Sequence, residues 1–335
     1  MGIPQSIIHQ ILEHQDLTES DAHDVAMTFL SGEAPIDDMV TVLSALHKKG
    51  ESVSEILGFI RAMRTHMTPL SFTESPIMDI CGTGGSLPNR FNVSTCAAMV
   101  LGAIGHSVAK HGNRGSKKPN GSFDFLDALG IAYELTPDGH QEMMTRHGAT
   151  FLFARQYHPA VRHVVNARKQ LTSPSIFNLI GPFCNPASPS IQVIGAPSKR
   201  LAKKLVMVGD ALSYDTFAVI TSDIGLDECS TVGKSHIEGN RNGQAFQLEL
   251  DPTTLGIHHQ LSDITISPTA MATDNAHEFK AILSNQSLDH PIAQLISLNA
   301  GVILHIINSS TTISDGYQLA GQALMDLSND PRFTD

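Results

Sequence analysis

The chain has 335 residues, of which 41% are hydrophobic and 16% charged, and its formal net charge is −11 at pH 7. This composition is typical of a globular protein long enough for two domains, and the net charge argues against nonspecific nucleic-acid binding, which depends on Lys and Arg. No apolar run approaches about 18 residues, so no membrane span is predicted. The four cysteines lie far apart without a Cys-x-x-Cys pair, which predicts reduced thiols in a cytoplasmic protein.

The N-terminal region has the apolar spacing of a small helical domain, predicted over residues 1–70 and joined by helices from about 160–188. Its helices are predicted over 3–14, 20–30, 36–48 and 53–66. Thr18 with Asp21 resembles a capping box at the start of the second helix. Apolar surface left over on this domain is available for dimerisation.

Strands alternate with helices over residues 71–335, which predicts an α/β domain with a mostly parallel central sheet. The predicted strands cover 77–81, 107–110, 150–153, 192–195 and 216–221, and the predicted helices include 199–212, 274–285, 290–307 and 314–327. Arg241-Asn242-Gly243-Gln244 predicts a type I′ hairpin turn. In such folds the ligand binds at the carboxyl ends of the strands.

A glycine-rich loop, Gly82-Thr83-Gly84-Gly85, follows the first predicted strand. Its glycines let backbone N–H groups approach an anion closely. Asn92 to Thr95 then supplies candidate N-cap side chains for a helix containing Cys96 to Ile104, and a helix N-terminus favours anions. The spacing matches neither a P-loop nor a dinucleotide-binding fingerprint. The loop is compatible with phosphate binding and with a purely structural turn.

The sequence Lys110-His111-Gly112-Asn113-Arg114 places a cation, an imidazole, an amide and a guanidinium on one turn after a predicted strand. Such a turn suits a phosphate together with an acceptor molecule. An ordinary polar surface loop is the alternative interpretation.

Two adjacent carboxylates, Asp227 and Glu228, lie six residues beyond the strand that ends near Thr221. Mg²⁺ prefers a few carboxylates together with waters and substrate phosphates, so this pair is a candidate metal site. Acidic pairs are also common on surfaces, and only nearby phosphate-binding loops favour the metal.

A third polar group includes Tyr157, His158 and Arg168, of which Arg168 lies on a helix-like stretch from Pro159 to Gln170. The planar guanidinium of Arg168 is suited to bind a substrate carboxylate in bidentate fashion. A surface salt bridge is the alternative.

These motifs, in this order, resemble those of anthranilate phosphoribosyltransferases, the tryptophan-pathway enzymes, over nearly the whole chain. The motifs are Gly82-Thr83-Gly84-Gly85, Asn92-Val93-Ser94-Thr95, Lys110-His111-Gly112-Asn113-Arg114, Phe151-Leu152-Phe153-Ala154, Tyr157-His158, Ile176-Phe177-Asn178, Gly181-Pro182, Asn185-Pro186 and Asp227-Glu228. The resemblance implies a helical domain with a larger α/β domain of the nucleoside phosphorylase/phosphoribosyltransferase type. It also implies a homodimer formed through the helical domain.

The implied reaction is Mg²⁺-dependent transfer of phosphoribosyl from phosphoribosyl pyrophosphate to anthranilate, with release of pyrophosphate and one or two Mg²⁺ per subunit. By resemblance, the donor would contact Gly82, Gly85, Ser86, Arg90, Asn92, Val93, Ser94, Thr95, Lys110, Lys117, Lys118 and Ser122. Ser94, Asp227 and Glu228 would hold Mg²⁺. Anthranilate would contact Gly82, His111, Asn113, Tyr157, His158 and Arg168, with Lys110, Asn113 and Arg168 positioning the reactants.

The chain departs from the family pattern in the phosphate-binding loops. Ser86 replaces an Asp, Arg90 replaces a Thr, Lys117 and Lys118 replace serines, and Pro119 replaces a lysine. These changes remove one carboxylate and raise the local charge by about three. One hypothesis is that Lys side chains replace the charge of a second Mg²⁺. A requirement for two Mg²⁺ per site would contradict it.

Two alternative functions remain open at the level of sequence. One is phosphoribosyl transfer to a different aromatic acceptor, favoured by the divergent loops. The other is a non-catalytic paralogue that binds phosphorylated ligands or nucleic acid. Asp227-Glu228, Asn113 and Arg168 favour an enzyme, since a binding protein needs no metal ligands beside an acceptor site.

Overall fold

The computed structural model describes residues 2–84, 91–115, 118–265 and 269–333. Its helices are α1 (Gln5–Leu12), α2 (Glu19–Leu30), α3 (Ile36–Lys49), α4 (Val53–His66), α5 (Val93–Ile104), α6 (Ser122–Leu129), α7 (Pro137–His147), α8 (Ala154–Tyr157), α9 (Val165–Gln170), α10 (Ile176–Ile180), α11 (Lys199–Ala211), α12 (Leu261–Ile264), α13 (Ala272–Ser284), α14 (Pro291–Ile307) and α15 (Ile313–Asp326). Its strands are β1 (Ile77–Gly82), β2 (Ser107–Gly112), β3 (Ala149–Phe153), β4 (Ile191–Gly195), β5 (Thr216–Ser222), β6 (Ser235–Arg241) and β7 (Gln244–Leu250).

These elements form two compact units. The helical unit contains Met1–Leu70 and Ala154–Ser188, and the α/β unit contains Ser71–Phe153 and Pro189–Asp335. The two units are described separately below.

The helical unit is built on edge-to-face packing of aromatic rings. Phe59 on α4 contacts Phe29 on α2 at 6.1 Å between ring centroids, and Phe177 on α10 at 5.8 Å. The predicted capping interaction is present, because the Thr18 hydroxyl accepts a hydrogen bond from Asp21 N at 3.1 Å. The prediction of one helix-like stretch over 159–170 is wrong in detail: a 3₁₀ turn, Pro159–His163, precedes α9. Val161 and Val164 donate i→i−3 hydrogen bonds there, which tighten the chain.

The α/β unit contains a seven-stranded sheet in the order β3-β2-β1-β4-β5-β6-β7. β1 to β5 pair in parallel, and β6 and β7 are antiparallel. The predicted fold class, with its mostly parallel sheet, is confirmed. The hairpin prediction is also confirmed, since Asn242 and Gly243 link β6 to β7 with φ values of 50° and 78°.

α5 lies in the hydrophobic core of the α/β unit. Its side chains are small and nearly all buried, as the apolar run from Cys96 predicts. α14 and α15 belong to the same core and cross closely, because Gly301 and Gly316 lack side chains at the crossing. No helix among the residues described is long and apolar enough to cross a membrane.

The α14–α15 crossing yields a paired test on one helix. A Cβ at Gly316 would lie 2.6 Å from the Gly301 carbonyl oxygen, whereas a Cβ at Gly321 would meet the flexible Leu288 side chain at 3.1 Å. Gly316→Ala is expected to lower the free energy of unfolding by about 1–3 kcal/mol. Gly321→Ala gains the same helix propensity, about 1 kcal/mol, and is expected to stay close to the original stability. Urea denaturation measures both, and equal effects would contradict the close crossing.

Candidate active site

The glycine loop after β1 is joined to the acidic pair by a backbone hydrogen bond. Gly84 N donates to Asp227 Oδ2 at 3.1 Å, and Gly84 has a φ of +72°, which a side chain disfavours. Thr83 N donates to Gly195 O at 3.0 Å, so the loop is also attached to the end of β4. The carboxylate of Asp227 is therefore fixed at the carboxyl edge of the parallel strands, as the sequence predicts for a ligand site.

Two glycines make room for Asp227. Gly82 and Gly195 are paired across β1 and β4. A Cβ at Gly82 would overlap Asp227 Oδ2, and a Cβ at Gly195 would overlap the Asp227 backbone oxygen. Sequence reasoning missed Gly195, although a glycine at the end of a strand predicted to lie beside β1 is a usable signal.

α5 begins at Val93, and its N-terminus lies at the same edge. The predicted side-chain cap is wrong: Asn92 occupies the N-cap position but makes no capping hydrogen bond. Its amide instead contacts Asn120 and Asn275. Thr95 is buried, and its hydroxyl has no hydrogen-bond partner among the residues described. Thr95 N and Cys96 N donate to the Asn92 carbonyl, so the N–H groups of Val93 and Ser94 are the ones at the start of α5 without a partner in the helix.

Lys110 is buried inside the sheet. Its Nζ donates to the Ile80 carbonyl at 2.6 Å, and burial lowers its pKa against the opposing influence of nearby Cys81 and Asp79. The carbonyl takes one of the three hydrogens of the ammonium group. Lys110 thus brings positive charge into the sheet, against the strand that leads into the glycine loop.

Asp79, on β1, binds the end of β2. It is fully buried, and its Oδ1 accepts a hydrogen bond from His111 N at 3.1 Å. Gln192 Nε2 lies 3.4 Å from Asp79 Oδ2. Sequence reasoning did not single out Asp79, although an acidic residue inside an apolar strand is a signal for a buried polar contact.

Arg114, the last residue of this motif, contacts α6 and the segment that follows it. Its guanidinium forms an ion pair with Asp127 at 2.6 Å and donates to Asp124 at 3.2 Å and to the Tyr133 hydroxyl at 2.6 Å. These partners fix the turn after β2 to α6. Burial, followed by the hydrogen bond to Asp127, raises the pKa of Tyr133 to about 12.

His111 is buried, whereas Asn113 and the described donor residues that follow it lie at or near the surface. Asn113 is exposed, and its Oδ1 accepts from Arg114 N at 2.8 Å. Lys118 is exposed, and Ser122 is the first residue of α6. Gly85, Ser86, Arg90 and Lys117 lie outside the described residues.

Asp227 and Glu228 fit a magnesium ion that is bound mainly through substrate. Asp227 is 7% exposed and Glu228 and Ser94 are half-buried. Among the residues described, no group of three or more His, Cys, Asp or Glu could hold a metal by itself. Mg²⁺ commonly takes one or two carboxylates plus phosphates and waters. Glu228 also lies near Cys96 in α5. Burial raises the pKa of the Cys96 thiol, the charge of Lys110 lowers it, and the charge of Glu228 raises it further.

Three predicted acceptor residues belong to the helical unit. Arg168 is half-buried, its guanidinium carbon lies 5.5 Å from the centre of the Phe177 ring, and burial lowers its pKa. No carboxylate within the described residues forms an ion pair with Arg168. Tyr157 and His158 are buried, and burial raises the pKa of Tyr157 to about 12 and lowers that of His158 to about 4. His158 is therefore a neutral imidazole at pH 7.

Comparison with known proteins assigns both units to one group. Residues 5–67 match the helical bundle domain of a glycosyl transferase family, and residues 74–326 match the a/b domain of that family. An anthranilate phosphoribosyltransferase of Geobacillus sp. (strain WCH70) is 34% identical over 322 residues, 96% of this chain and 94% of that protein. Anthranilate phosphoribosyltransferase 2 of Streptomyces coelicolor is 34% identical over 92% of this chain and 91% of its own length.

Solved structures give the same result. The anthranilate phosphoribosyltransferase of Thermus thermophilus superposes with a TM-score of 0.86 at 30% identity, covering 98% of this chain and 97% of that one. The Saccharomyces cerevisiae enzyme, in complex with PRPP and Mg, gives a TM-score of 0.87 at 25% identity over 98% and 95% of the two chains. With this agreement in sequence, fold and the order of its site motifs, the chain belongs to the anthranilate phosphoribosyltransferase family of glycosyl transferases.

Proposed function

We propose that this chain transfers the phosphoribosyl group of phosphoribosyl pyrophosphate to the amine of anthranilate, in the cytoplasm, where its four free cysteines stay reduced. The observation that carries the proposal is the hydrogen bond from Gly84 N to Asp227 Oδ2. It joins a glycine loop to a carboxylate of the kind that binds Mg²⁺. In the reaction, a bond forms between the amine nitrogen and ribose C1 while the bond from C1 to pyrophosphate breaks.

The donor binds at the carboxyl edge of the sheet in the α/β unit. The support comes from backbone N–H groups of the glycine loop and the first turn of α5, together with the buried charge of Lys110. Such fixed donors stabilise negative charge that develops on a leaving pyrophosphate. The proposed donor-binding residues are Gly82, Gly85, Ser86, Arg90, Asn92, Val93, Ser94, Thr95, Lys110, Lys117, Lys118 and Ser122.

Asp227, Glu228 and Ser94 are the proposed protein ligands of Mg²⁺, one or two ions per subunit. When bound with substrate, Mg²⁺ neutralises charge on the pyrophosphate oxygens. Asp227 can accept from Gly84 N and also ligate, since a carboxylate offers about four lone-pair positions. Gly82 and Gly195 keep this carboxylate in place because they have no side chains to displace it.

Arg168 is the proposed partner of the anthranilate carboxylate. The stacking of its guanidinium on Phe177 limits its motion, so less conformational freedom is lost when a carboxylate binds. Asn113 supplies an exposed amide, and Gly82, His111, Tyr157 and His158 are the other proposed acceptor residues. Because the pKa of His158 is about 4, its imidazole contributes a neutral surface and is a weak proton acceptor.

The direct test follows the fluorescence of anthranilate with purified protein, phosphoribosyl pyrophosphate and Mg²⁺. Anthranilate fluorescence is expected to fall with time, and chelation of Mg²⁺ is expected to stop the fall. Retained fluorescence, despite tight binding of phosphoribosyl pyrophosphate in calorimetry, would contradict the proposed reaction and favour either a different acceptor or a non-catalytic binding protein.

The same assay examines the acceptor site through Arg168→Ala. Loss of a charged hydrogen bond of about 1.5–3 kcal/mol predicts that KM for anthranilate rises about tenfold or more, while KM for phosphoribosyl pyrophosphate changes less than twofold. Arg162→Ala is the matched control, since Arg162 is an exposed arginine of the same unit. An equal effect of both substitutions would contradict the role of Arg168.

We further infer that the chain forms a homodimer through its helical unit. The supporting observation is that three large apolar side chains of this unit are exposed: Leu12 (51%), Ile36 (40%) and Val165 (38%). Light scattering is expected to give twice the chain mass of 36.0 kDa, and Leu12→Lys with Ile36→Lys is expected to shift the mass toward one chain. A single-chain mass for the unmodified protein would contradict the inference.

A further inference from the structure

Three asparagines from distant parts of the chain meet beside the N-terminus of α5. Asn92 precedes α5, Asn120 lies in the turn before α6, and Asn275 is on α13. Asn275 is 1% exposed. Its Nδ2 donates to Asn92 Oδ1 at 2.8 Å and to Asn120 Oδ1 at 3.1 Å. We call these three residues the asparagine triad.

A backbone carbonyl determines which way the Asn92 amide faces. Asn92 Nδ2 donates to Asn120 O at 3.2 Å. Because a carbonyl oxygen can only accept a hydrogen bond, the nitrogen of Asn92 must be on the side of Asn120. Its oxygen is then on the side of Asn275, whose Nδ2 can only donate. The amide orientation of Asn92 is thus fixed by chemistry at both ends.

This arrangement leaves Asn92 with one remaining donor. The amide group has two N–H hydrogens and one acceptor oxygen. Asn120 O takes one hydrogen, Asn275 occupies the oxygen, and the second Nδ2 hydrogen has no partner among the residues described. Asn92 therefore offers an N–H, and not a carbonyl oxygen, to a molecule that binds at the start of α5. An N–H favours a phosphate, whereas a carbonyl oxygen would repel it.

The triad also positions the turn before α6. Ala272 N, the first residue of α13, donates to Pro119 O at 3.2 Å, so both Pro119 and Asn120 are attached to α13. Asn120 is joined to α13 through its own side chain as well, because its Oδ1 accepts from Asn275 Nδ2.

We propose that Asn275, with Asn120, is a positioning residue for donor binding: it fixes the Asn92 amide so that its second Nδ2 hydrogen binds the phosphoribosyl donor. The proposal rests on the proposed function only in naming that donor. Asn275 acts through Asn92 and makes no contact with substrate itself. The Asn92 amide is oriented by its bonds to Asn275 Nδ2 and Asn120 O. The bond between Asn275 and Asn120 Oδ1 contributes less to that orientation.

The test replaces Asn275 with Leu, which has a similar size and no charge. Asn275→Leu is expected to raise KM for phosphoribosyl pyrophosphate at least tenfold, with less than threefold change in kcat and in KM for anthranilate. Asn120→Ser keeps the backbone carbonyl and is expected to raise the donor KM less than threefold. The double variant is expected to resemble Asn275→Leu alone, because the residues act in one network.

Asn285→Leu is the matched control, since Asn285 is exposed at the other end of α13, and it is expected to leave the donor KM unchanged. If Asn275→Leu does not fold, Asn275→Ser is measured instead. Serine is polar but too short to reach Asn92, and the same rise in donor KM is expected. A donor KM within twofold of the original, or a fall in kcat alone, would overturn the proposal.

Calorimetry with magnesium pyrophosphate separates this proposal from the proposed reaction. If the unmodified protein binds pyrophosphate but does not consume anthranilate, the reaction is wrong, and a tenfold weaker binding by Asn275→Leu still supports the triad. If the unmodified protein consumes anthranilate and Asn275→Leu binds pyrophosphate equally well, the triad proposal is wrong and the reaction stands.

Discussion

The hydrogen bond between Gly84 N and Asp227 Oδ2 is the contact on which the arrangement of the candidate site depends. It joins a loop at the end of β1 to a loop that follows β5, although 143 residues separate them in the chain. Three glycines are required for it: Gly84 for its positive φ, and Gly82 and Gly195 for the space beside Asp227. A side chain at Gly82 would overlap the Asp227 carboxylate, one at Gly195 would overlap the Asp227 backbone oxygen, and one at Gly84 would strain the loop through its positive φ.

The charged groups around this contact differ in how deeply they are buried. Lys110 and Asp79 are buried, and each makes one hydrogen bond to the backbone: Lys110 Nζ donates to Ile80 O, and Asp79 Oδ1 accepts from His111 N. Asp227 lies closer to the surface. A buried cation near a binding site stabilises an anion without contacting it, because the field is weakly screened in the interior. The same contacts attach the end of β2, where the Lys110 charge is located, to β1.

The fold could be predicted from the sequence because its signals are local. The alternation of strands with helices gives the parallel sheet, and Asn242-Gly243 gives the hairpin. The side-chain partners could not be predicted, because they come from distant segments. Asn92 looks like an N-cap residue, yet its amide bonds to Asn275, 183 residues away. Arg114 looks like part of a phosphate-binding turn, yet Asp127 and Tyr133 bind its guanidinium.

We propose that Asp227, fixed by the glycine loop, binds Mg²⁺ together with the donor. The most direct measurement is calorimetric titration of pyrophosphate with and without Mg²⁺, for the unmodified protein and for Asp227→Asn. The amide of Asn can still accept from Gly84 N, so the loop is retained while a charged ligand is lost. We expect Mg²⁺ to tighten pyrophosphate binding at least tenfold in the unmodified protein and less than twofold in the variant. An equal gain from Mg²⁺ in both proteins would contradict it.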